Sequence, residues 1–177
     1  MIEDPPSEAE AAVAILHARE PEEAILLIRR ATNPQDPWSG HWAFPGGRRD
    51  AADHDLLDTA LRELREECSI ELSRDHLTQS LPWVWAGRRL GSRLCVAPFG
   101  FVLPHAIPAF VDPEEAVQAL WAPVSMLADK RLHARMPVPG FPNGTHWPAI
   151  EINSVPMWGF TYRLVCQWIG IETLPEA

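Results

Sequence analysis

Three glutamates within five residues are the strongest chemical signal in this chain. Glu63, Glu66 and Glu67 are spaced i, i+3 and i+4, so a helix would bring all three side chains onto one face. Carboxylates crowded in this way repel one another. A hard divalent cation such as Mg2+ or Mn2+ relieves that repulsion, and it typically accepts water and substrate phosphate oxygens as further ligands. The spacing therefore indicates a metal site suited to phosphate chemistry.

A pair of glycines precedes the acidic run. Gly46 and Gly47 permit backbone geometry that other residues resist, and they predict a tight turn. Asp53 or Asp55 can cap the following helix, which we expect to run to about Cys68. Its buried stripe would comprise Leu56, Leu57, Ala60, Leu61 and Leu64. An acidic helix face alone is more often an ordinary solvated surface, so the metal-site interpretation depends on the glycine turn beside it.

The stretch 46–72 resembles the signature of the Nudix hydrolases, in which a glycine and a Glu precede Arg-Glu-aliphatic-x-Glu-Glu-x-Gly-aliphatic. The matching positions are Arg62, Glu63, Leu64, Glu66, Glu67 and Ile70. Gly47 lies fifteen residues before Arg62, where the signature has fourteen. His54 stands in place of the first Glu of the signature, and Ser69 in place of its last glycine.

The extra residue is also a feature of the coenzyme A diphosphatase branch, which resembles Gly-Gly-x-x-Asp-x-x-Asp-x-Asp followed by Thr-Ala-Leu-Arg-Glu. This chain has those residues at the same spacing: Gly46, Gly47, Asp50, Asp53, Asp55, Thr59, Ala60, Leu61, Arg62 and Glu63. The Leu-Arg-x-His piece that usually precedes Phe-Pro-Gly-Gly in that branch is missing. ADP-ribose, NADH and nucleoside triphosphates therefore remain open as substrates beside coenzyme A.

The resemblance implies an activity, a cofactor and a set of site residues. The activity is Mg2+- or Mn2+-dependent hydrolysis of the diphosphate linkage in a nucleoside diphosphate derivative, with coenzyme A as the leading substrate. Arg62 would orient the acids without touching metal. The implied catalytic residues and metal ligands are Glu63, Glu66 and Glu67, with the backbone carbonyl of Gly46 or Gly47 as a further ligand.

Runs of apolar residues, and runs in which apolar and polar residues alternate, predict the strands and helices that position these residues. Residues 11–18 and 24–29 read as a β-hairpin that ends at Arg29 and Arg30. The segment 131–146, rich in Pro and Gly, is predicted to be a long surface loop near the site. Further strands are predicted at 42–44, 81–86, 94–103, 118–123 and 147–152, and further helices at 124–130 and 159–169. This order predicts an α/β/α sandwich with a mixed β-sheet, as the resemblance also implies.

Arginines are the candidates for binding the phosphates of a substrate, because a guanidinium group pairs with phosphate in a bidentate way. Arg48 is favoured by its position beside the glycine turn, and Arg29 and Arg88 are further candidates. Most arginines will simply be surface charge. Tryptophans that could stack on a nucleobase, although burial is the commoner fate of this residue, are Trp38, Trp42 and Trp147.

A further carboxylate for catalysis could come from the acidic segment 112–115, although helix or turn capping is an equal alternative for it. The candidates are Asp112, Glu114 and Glu115. Gln118 stands where relatives often have an acid, and an amide cannot act as a general base. Ser69 is expected to adopt the left-handed conformation that ends many helices, at a cost of about 1 kcal/mol.

Composition limits the remaining possibilities. With 177 residues and 46% hydrophobic content, residues 1–177 are expected to form a single domain. The net charge of −9 disfavours binding to nucleic acid. Three cysteines without a CxxC pair, no signal peptide and no run of about 18 apolar residues predict a soluble protein of the reducing cytoplasm. His41 and His54 are expected to be polar turn residues. The resemblance is also compatible with a homodimer.

Two other function classes remain open from the sequence. The first is a Nudix-fold module that binds a nucleotide without hydrolysing it, for which Ser69 and Gln118 can be cited. The second is a protein-interaction domain with an acidic helix face, which metal would not stabilise. Against the first class, a module without catalytic duty has no physical need to keep three mutually repelling carboxylates.

Overall fold

The computed structural model describes residues 9–33, 39–87, 94–139, 141 and 145–175. Its helices are α1 (Leu56–Cys68), α2 (Val124–Leu127) and α3 (Gly159–Ile169), and 3-10 turns lie at Arg74–His76 and Lys130–Leu132. Its strands are β1 (Ala11–Glu20), β2 (Ala24–Arg30), β3 (Trp42–Ala43), β4 (Gly46–Arg48), β5 (Gln79–Ser80), β6 (Val84–Ala86), β7 (Leu94–His105), β8 (Ala116–Pro123), β9 (His133–Pro137), β10 (His146–Ile152) and β11 (Val155–Trp158). None of these helices is long and apolar enough to cross a bilayer.

The main sheet contains both parallel and antiparallel pairs. Its central path runs β3-β2-β1-β7-β5, with β4 paired to β1, β6 to β7 and β8 to β2. Only the pair β1–β7 is parallel among these described strands. The predicted hairpin is confirmed, since His17 of β1 lies opposite Ile25 of β2 in antiparallel register.

Side chains of β1 and β2 alternate between two hydrophobic cores, as a strand with both faces covered requires. Ile15 and Leu27 pack in the core that includes Tyr162 and Val165 of α3. Their neighbours Leu16 and Leu26 pack in the core under α1, with Leu57, Ala60 and Leu64. A mixed sheet covered on both faces by helices confirms the predicted α/β/α architecture.

A second sheet, β9–β10–β11, corrects the prediction of a loop at 131–146. His133–Pro137 pairs antiparallel with β10, and Val155–Trp158 forms the other edge. The imidazole of His133 is buried between the Tyr162 hydroxyl and the Leu127 carbonyl oxygen, each at 2.9 Å. The strand β10 and Tyr162, which stabilise this segment, lie later in the sequence. The Pro- and Gly-rich composition of the segment therefore predicted a loop.

Two further predicted elements are shorter than expected. The strand predicted at 81–86 begins only at Val84, because Pro82 has no N–H to donate to a ladder. The helix predicted at 124–130 ends at Leu127, and a separate 3-10 turn begins after Asp129, whose side chain accepts from the Arg131 amide. The prediction of a bare turn at the glycine pair is also wrong, since both glycines belong to β4.

Both ends of α1 are fixed by side chains. Asp55, rather than Asp53, is the N-cap, and its carboxylate accepts from the Asp58 amide at 3.0 Å. Ser69 at the other end has φ 54° and ψ 30°, so the expected left-handed conformation is confirmed. Its hydroxyl donates to the Phe110 carbonyl oxygen at 3.1 Å. This bond ties the end of the helix to the segment before β8 and offsets part of the cost of the conformation.

Candidate active site

The two glycines of β4 let α1 and β1 approach each other closely. A methyl group at Gly46 would lie 2.3 Å from the Ala12 carbonyl oxygen of β1. A methyl group at Gly47 would lie 2.3 Å from Oε1 of Glu63. Gly46 is therefore required by the backbone of the sheet, whereas Gly47 leaves room for a carboxylate.

Glu67 is the most buried of the three glutamates, with only 4% of its surface exposed. Its Oε2 accepts a hydrogen bond from the Gly46 amide at 2.8 Å. Burial raises its pKa to about 8, and the negative charges of Glu63 and Glu115 add to the effect, while the Gly46 amide and Arg30 oppose it. A buried carboxylate beside two others is a position that a cation would stabilise.

Arg62 holds the other two glutamates. Its Nη1 donates to Oε1 of Glu63 at 2.9 Å and to Oε2 of Glu66 at 2.8 Å, and its Nη2 donates to the Arg48 carbonyl oxygen at 3.1 Å. Burial raises the pKa of Glu63, and Arg62 opposes that shift. One guanidinium group therefore joins α1 to β4 and orients two of the acids, in the role that the family resemblance implied for Arg62.

Asp53 in turn fixes Arg62. Its carboxylate accepts from Nε of Arg62 at 3.0 Å, from the Asp50 amide at 2.9 Å and from the Thr59 hydroxyl at 2.8 Å. The hydrogen bond from Arg62 holds the pKa of Asp53 at about 2. The aspartate and threonine spacing noted in the sequence thus positions the arginine. Sequence reasoning saw the pattern but assigned Asp53 only a capping role.

Glu66 differs from its two neighbours. Its side chain is 44% exposed and turns toward Arg62, and it does not line the cavity described below. Within the described ranges, no three Asp, Glu, His or Cys side chains converge as a ready set of metal ligands. Glu63 and Glu67 lie together, while the hydrogen bond from Arg62 holds Glu66 away from them.

A cavity of about 970 Å3 opens between α1, β4 and the start of α3. We call two parts of its wall the acidic side and the α3 side. The acidic side consists of Glu63, Glu67, Glu115, Arg30, Gly47 and Arg48, and the α3 side of Trp147, Trp158, Phe160 and Arg163. Residues of β1, β6 and β7 lie between them.

The predicted phosphate-binding arginines have different locations. Arg48 lines the cavity, but Arg29 does not, and its Nε donates to the Gly40 carbonyl oxygen at 3.2 Å. Arg30 lines the cavity instead, because successive side chains of β2 face opposite sides of the sheet. A bulge in β8 lies beside it, where Arg29 pairs with Gln118. Arg88 lies outside the described residues.

The three acids of the segment before β8 also differ in location. Oδ1 of Asp112 accepts from the Glu114 amide at 2.9 Å, and its backbone carbonyl accepts from the Glu115 amide at 3.0 Å. Asp112 therefore caps the turn. Glu114 and Glu115 both line the cavity, and the charge of Glu115 contributes to the raised pKa of Glu63 and Glu67.

Aromatic residues form much of the rest of the wall. His41, expected to be a polar turn residue, is only 6% exposed and accepts from Nε1 of Trp158 at 3.2 Å. Trp147 lies against Trp158, with ring centroids 5.4 Å apart. Trp42 donates to the Ile152 carbonyl oxygen from the core at 3.0 Å. Sequence reasoning missed Trp158, whose place depends on the unpredicted strand β11, and Trp38 lies outside the described residues.

Cys68, at the end of the same helix, has no place in this chemistry. Its thiol is fully buried, and burial raises its pKa to about 12. A thiol in that state supplies almost no thiolate at neutral pH. Cys68 therefore packs as a small apolar residue in the core under α1.

Comparison with known proteins identifies the family. The NUDIX domain model matches residues 9–139, well over half of the chain. Among curated proteins, the uncharacterised Nudix hydrolase NudL of Yersinia pestis is 35% identical over 125 residues, which are 70% of this chain and 60% of that protein. An uncharacterised protein of Schizosaccharomyces pombe is 33% identical over 110 residues, which are 58% of this chain and 32% of that protein. The chain thus spans between a third and three fifths of these relatives.

Solved structures agree in fold. A MutT/nudix family protein from Enterococcus faecalis superposes with a TM-score of 0.63 at 15% identity, covering 93% of this chain and 62% of that one. The NUDIX domain of Shewanella oneidensis NrtR, solved with ADP ribose, gives a TM-score of 0.55 at 19% identity, covering 70% of this chain and 80% of that one. With the family model, the fold and the α1–β4 geometry in agreement, the chain belongs to the Nudix family.

Proposed function

We propose that the protein is a Mg2+- or Mn2+-dependent hydrolase that cleaves the diphosphate linkage of a small nucleoside diphosphate derivative. The observation that carries this proposal is the closure of α1 on β4, where Glu63 and Glu67 share one cavity wall with Gly47, Arg48 and Arg30. The family membership supports the same class of reaction. Coenzyme A remains the leading substrate, on the aspartate spacing of its branch.

The acidic side fits a hard divalent cation on two counts. Glu63 and Glu67 offer carboxylate oxygens whose pKa values are raised by burial and by neighbouring glutamates, and a bound cation would offset both costs. The space beside Glu63 is one that a side chain at residue 47 would fill. When bound, the metal would neutralise phosphate charge and activate water. Its holders would be Glu63 and Glu67, with the Gly47 carbonyl, and with Glu66 after release from Arg62.

The other residues of the acidic side would bind and orient the substrate. Arg30 and Arg48 line the cavity and can pair with phosphate oxygens. Arg62 keeps Glu63 in place through Nη1, while Asp53 keeps Arg62 in place. We infer that Glu115 takes the proton from the attacking water. It lines the cavity, and its negative charge contributes to the raised pKa of both Glu63 and Glu67.

The aspartate spacing shared with the coenzyme A branch supports that substrate only indirectly. Asp53 contacts Arg62, Asp50 and Thr59, and Asp55 caps α1 and pairs with Arg74. Both aspartates therefore act on the framework that holds the acids. The choice of substrate must come from other parts of the cavity wall.

The alternative of a binding module without hydrolysis loses its two supports. Gln118 lies opposite Arg29 on β8, away from the cavity lining, so an amide there does not remove a base from the cavity. Ser69 adopts the conformation that a glycine would adopt and gains a hydrogen bond to Phe110. The buried carboxylate of Glu67 carries a desolvation cost that a bound cation would offset.

The test measures the hydrolysis products formed from coenzyme A, ADP-ribose, NADH and nucleoside triphosphates. Each compound is assayed with Mg2+, with Mn2+ and with a chelator. Glu67→Gln and Glu66→Gln are measured beside the unmodified protein, and Glu71→Gln, an exposed position beyond the helix, serves as the control. We expect metal-dependent turnover that Glu67→Gln abolishes and Glu71→Gln leaves intact. Metal-induced thermal stabilisation without turnover of any compound would favour the binding module instead.

A further inference from the structure

Arg163 is a cation of the cavity wall that the chemistry on the acidic side does not use. It lies in α3, and its Nη2 donates to the Trp85 carbonyl oxygen of β6 at 3.0 Å. Its Nε is buried and has no hydrogen-bond partner within the described part of the chain. No carboxylate among those residues forms an ion pair with it. Its Nη1 makes no hydrogen bond within the described residues either, and the side chain lines the cavity, so the outer part of the guanidinium group can still donate to a ligand there.

Three other arginines of this protein have carboxylate partners. Arg62 pairs with Asp53, Arg74 with Asp55, and Arg131 with Asp129. The chain has 24 acidic residues and 15 Lys or Arg residues, so carboxylate partners are plentiful. A half-buried guanidinium without one is costly unless an anion from outside the chain completes the pair.

The surroundings of Arg163 would strengthen such a pair. Phe160, one turn earlier in α3, packs with Val13, Ala86 and Val96 in a small apolar cluster, and these four residues also line the cavity. A charge-assisted hydrogen bond is stronger beside such apolar surface than in water. The fork of a guanidinium group matches two oxygens of one phosphate group.

We propose that Arg163 determines specificity by binding a second phosphate group of the substrate, a phosphate monoester on the nucleoside that is separate from the cleaved diphosphate. The proposal rests on the proposed function, since the diphosphate would occupy the acidic side of the same cavity. Arg163 lies beyond residues 9–139, which the family model matches.

Calorimetric titration tests this without requiring hydrolysis. The probes are AMP, adenosine 3′,5′-bisphosphate and adenosine 2′,5′-bisphosphate, which differ only in the second phosphate and its position. We expect the unmodified protein to bind one of the bisphosphates at least about tenfold more tightly than AMP, the effect of one charge-assisted contact. Arg163→Gln should reduce that ratio to near one, whereas Arg163→Lys, which keeps the charge, should retain part of it.

The matched control is Arg135→Gln. Arg135 is exposed on β9, donates to the Pro175 carbonyl oxygen and does not line the cavity, so the ratio should stay unchanged. Equal affinity of the unmodified protein for all three probes, or a preference that survives in Arg163→Gln, would overturn the proposal. If the protein hydrolyses a diphosphate but binds AMP and the bisphosphates equally, the role proposed for Arg163 is wrong and the proposed activity stands. If it prefers a bisphosphate but hydrolyses no diphosphate, the proposed activity is wrong and the role of Arg163 stands.

Discussion

The acidic side and the α3 side of the cavity differ in how the chain builds them. Every acid contributed by α1, the glycines of β4 and the arginine between them come from residues 46–67. Arg30 of β2 and Glu115 from the segment before β8 complete the acidic side, whereas the α3 side comes from the second sheet and α3, residues 147–163. The α1–β4 part of the acidic side is a local unit with its own hydrogen-bond network, whereas Trp158 of the α3 side is held by His41, which is distant in the sequence.

The two sides also differ in charge balance. On the acidic side, the carboxylates of Glu63 and Glu67 are buried beside other glutamates, and their pKa values are raised although Arg62 and Arg30 oppose the shift. On the α3 side, a guanidinium lacks a carboxylate partner within the described residues. We therefore expect the acidic side to bind a cation and carry out hydrolysis, and the α3 side to select the substrate.

Among residues outside α1, the largest effect should come from the proposed base. Glu115→Gln keeps the shape of the side chain but cannot accept a proton, so kcat should fall by about 10²- to 10³-fold. Glu114→Gln is the matched control, because Glu114 is the neighbouring glutamate and also lines the cavity. Steady-state kinetics with saturating Mg2+ would measure both. A larger loss in Glu114→Gln would assign the role to that residue.

The two glycines of β4 should separate stability from activity. In Gly47→Ala the new methyl group meets the flexible end of Glu63, which can move away, so we expect about a 10²-fold loss of kcat with little change in Tm. In Gly46→Ala the methyl group meets the backbone of β1, so thermal unfolding should show a Tm lower by several degrees. The opposite pattern would mean that Gly47 has only a structural role.

Trp147 should affect substrate binding alone. Trp147→Leu removes an aromatic surface of the α3 side, and we expect KM to rise by up to about tenfold with kcat nearly unchanged. Trp83→Leu is the control, since Trp83 is 41% exposed and lies outside the cavity lining. A fall in kcat without a rise in KM would break the proposed division between the two sides.

Glu67 should make the metal-free protein sensitive to pH. Its pKa rises from 4.5 to about 8 on folding, so between these pH values the unfolded chain releases a proton that the folded protein keeps. The free energy of unfolding should therefore fall as pH rises through this window, by about 1 kcal/mol per pH unit. Denaturant titration in a chelator would measure it. The trend should be weaker in Glu67→Gln, and equal slopes in both proteins would contradict the assigned burial.

Ser69 should have the smallest effect. Ser69→Gly relieves the left-handed backbone but loses the hydrogen bond to Phe110, and these changes offset each other. We expect a stability change within about 0.5 kcal/mol and kcat within about twofold. A large gain in activity would show that serine at the helix end distorts the acidic side after all.

The division between the two sides also explains what could be predicted from the sequence. The α1–β4 part of the acidic side comes from one short stretch of sequence, so residue types at fixed spacing were enough to predict that Glu63, Glu67, Gly47 and Arg48 lie together. Helical spacing could not separate Glu66 from its neighbours, because that difference depends on where Arg62 points.

The errors arise where contacts distant in sequence decide the structure. The strand β9 is stabilised by pairing with β10 and by the burial of His133, neither of which the local composition reveals. The choice between Arg29 and Arg30 depends on which face of β2 meets the acids. Trp158 and Arg163 gain their roles only when α3 and the second sheet close the cavity, so no local pattern could identify them.

The most direct test of this account is a comparison of kcat and KM for Glu67→Gln and Arg163→Gln on the best substrate of the panel. The account predicts that Glu67→Gln lowers kcat by at least about 10³-fold, while Arg163→Gln raises KM by about tenfold and leaves kcat within about twofold. If both variants changed the same parameter by similar factors, the separation of chemistry from selection would be wrong.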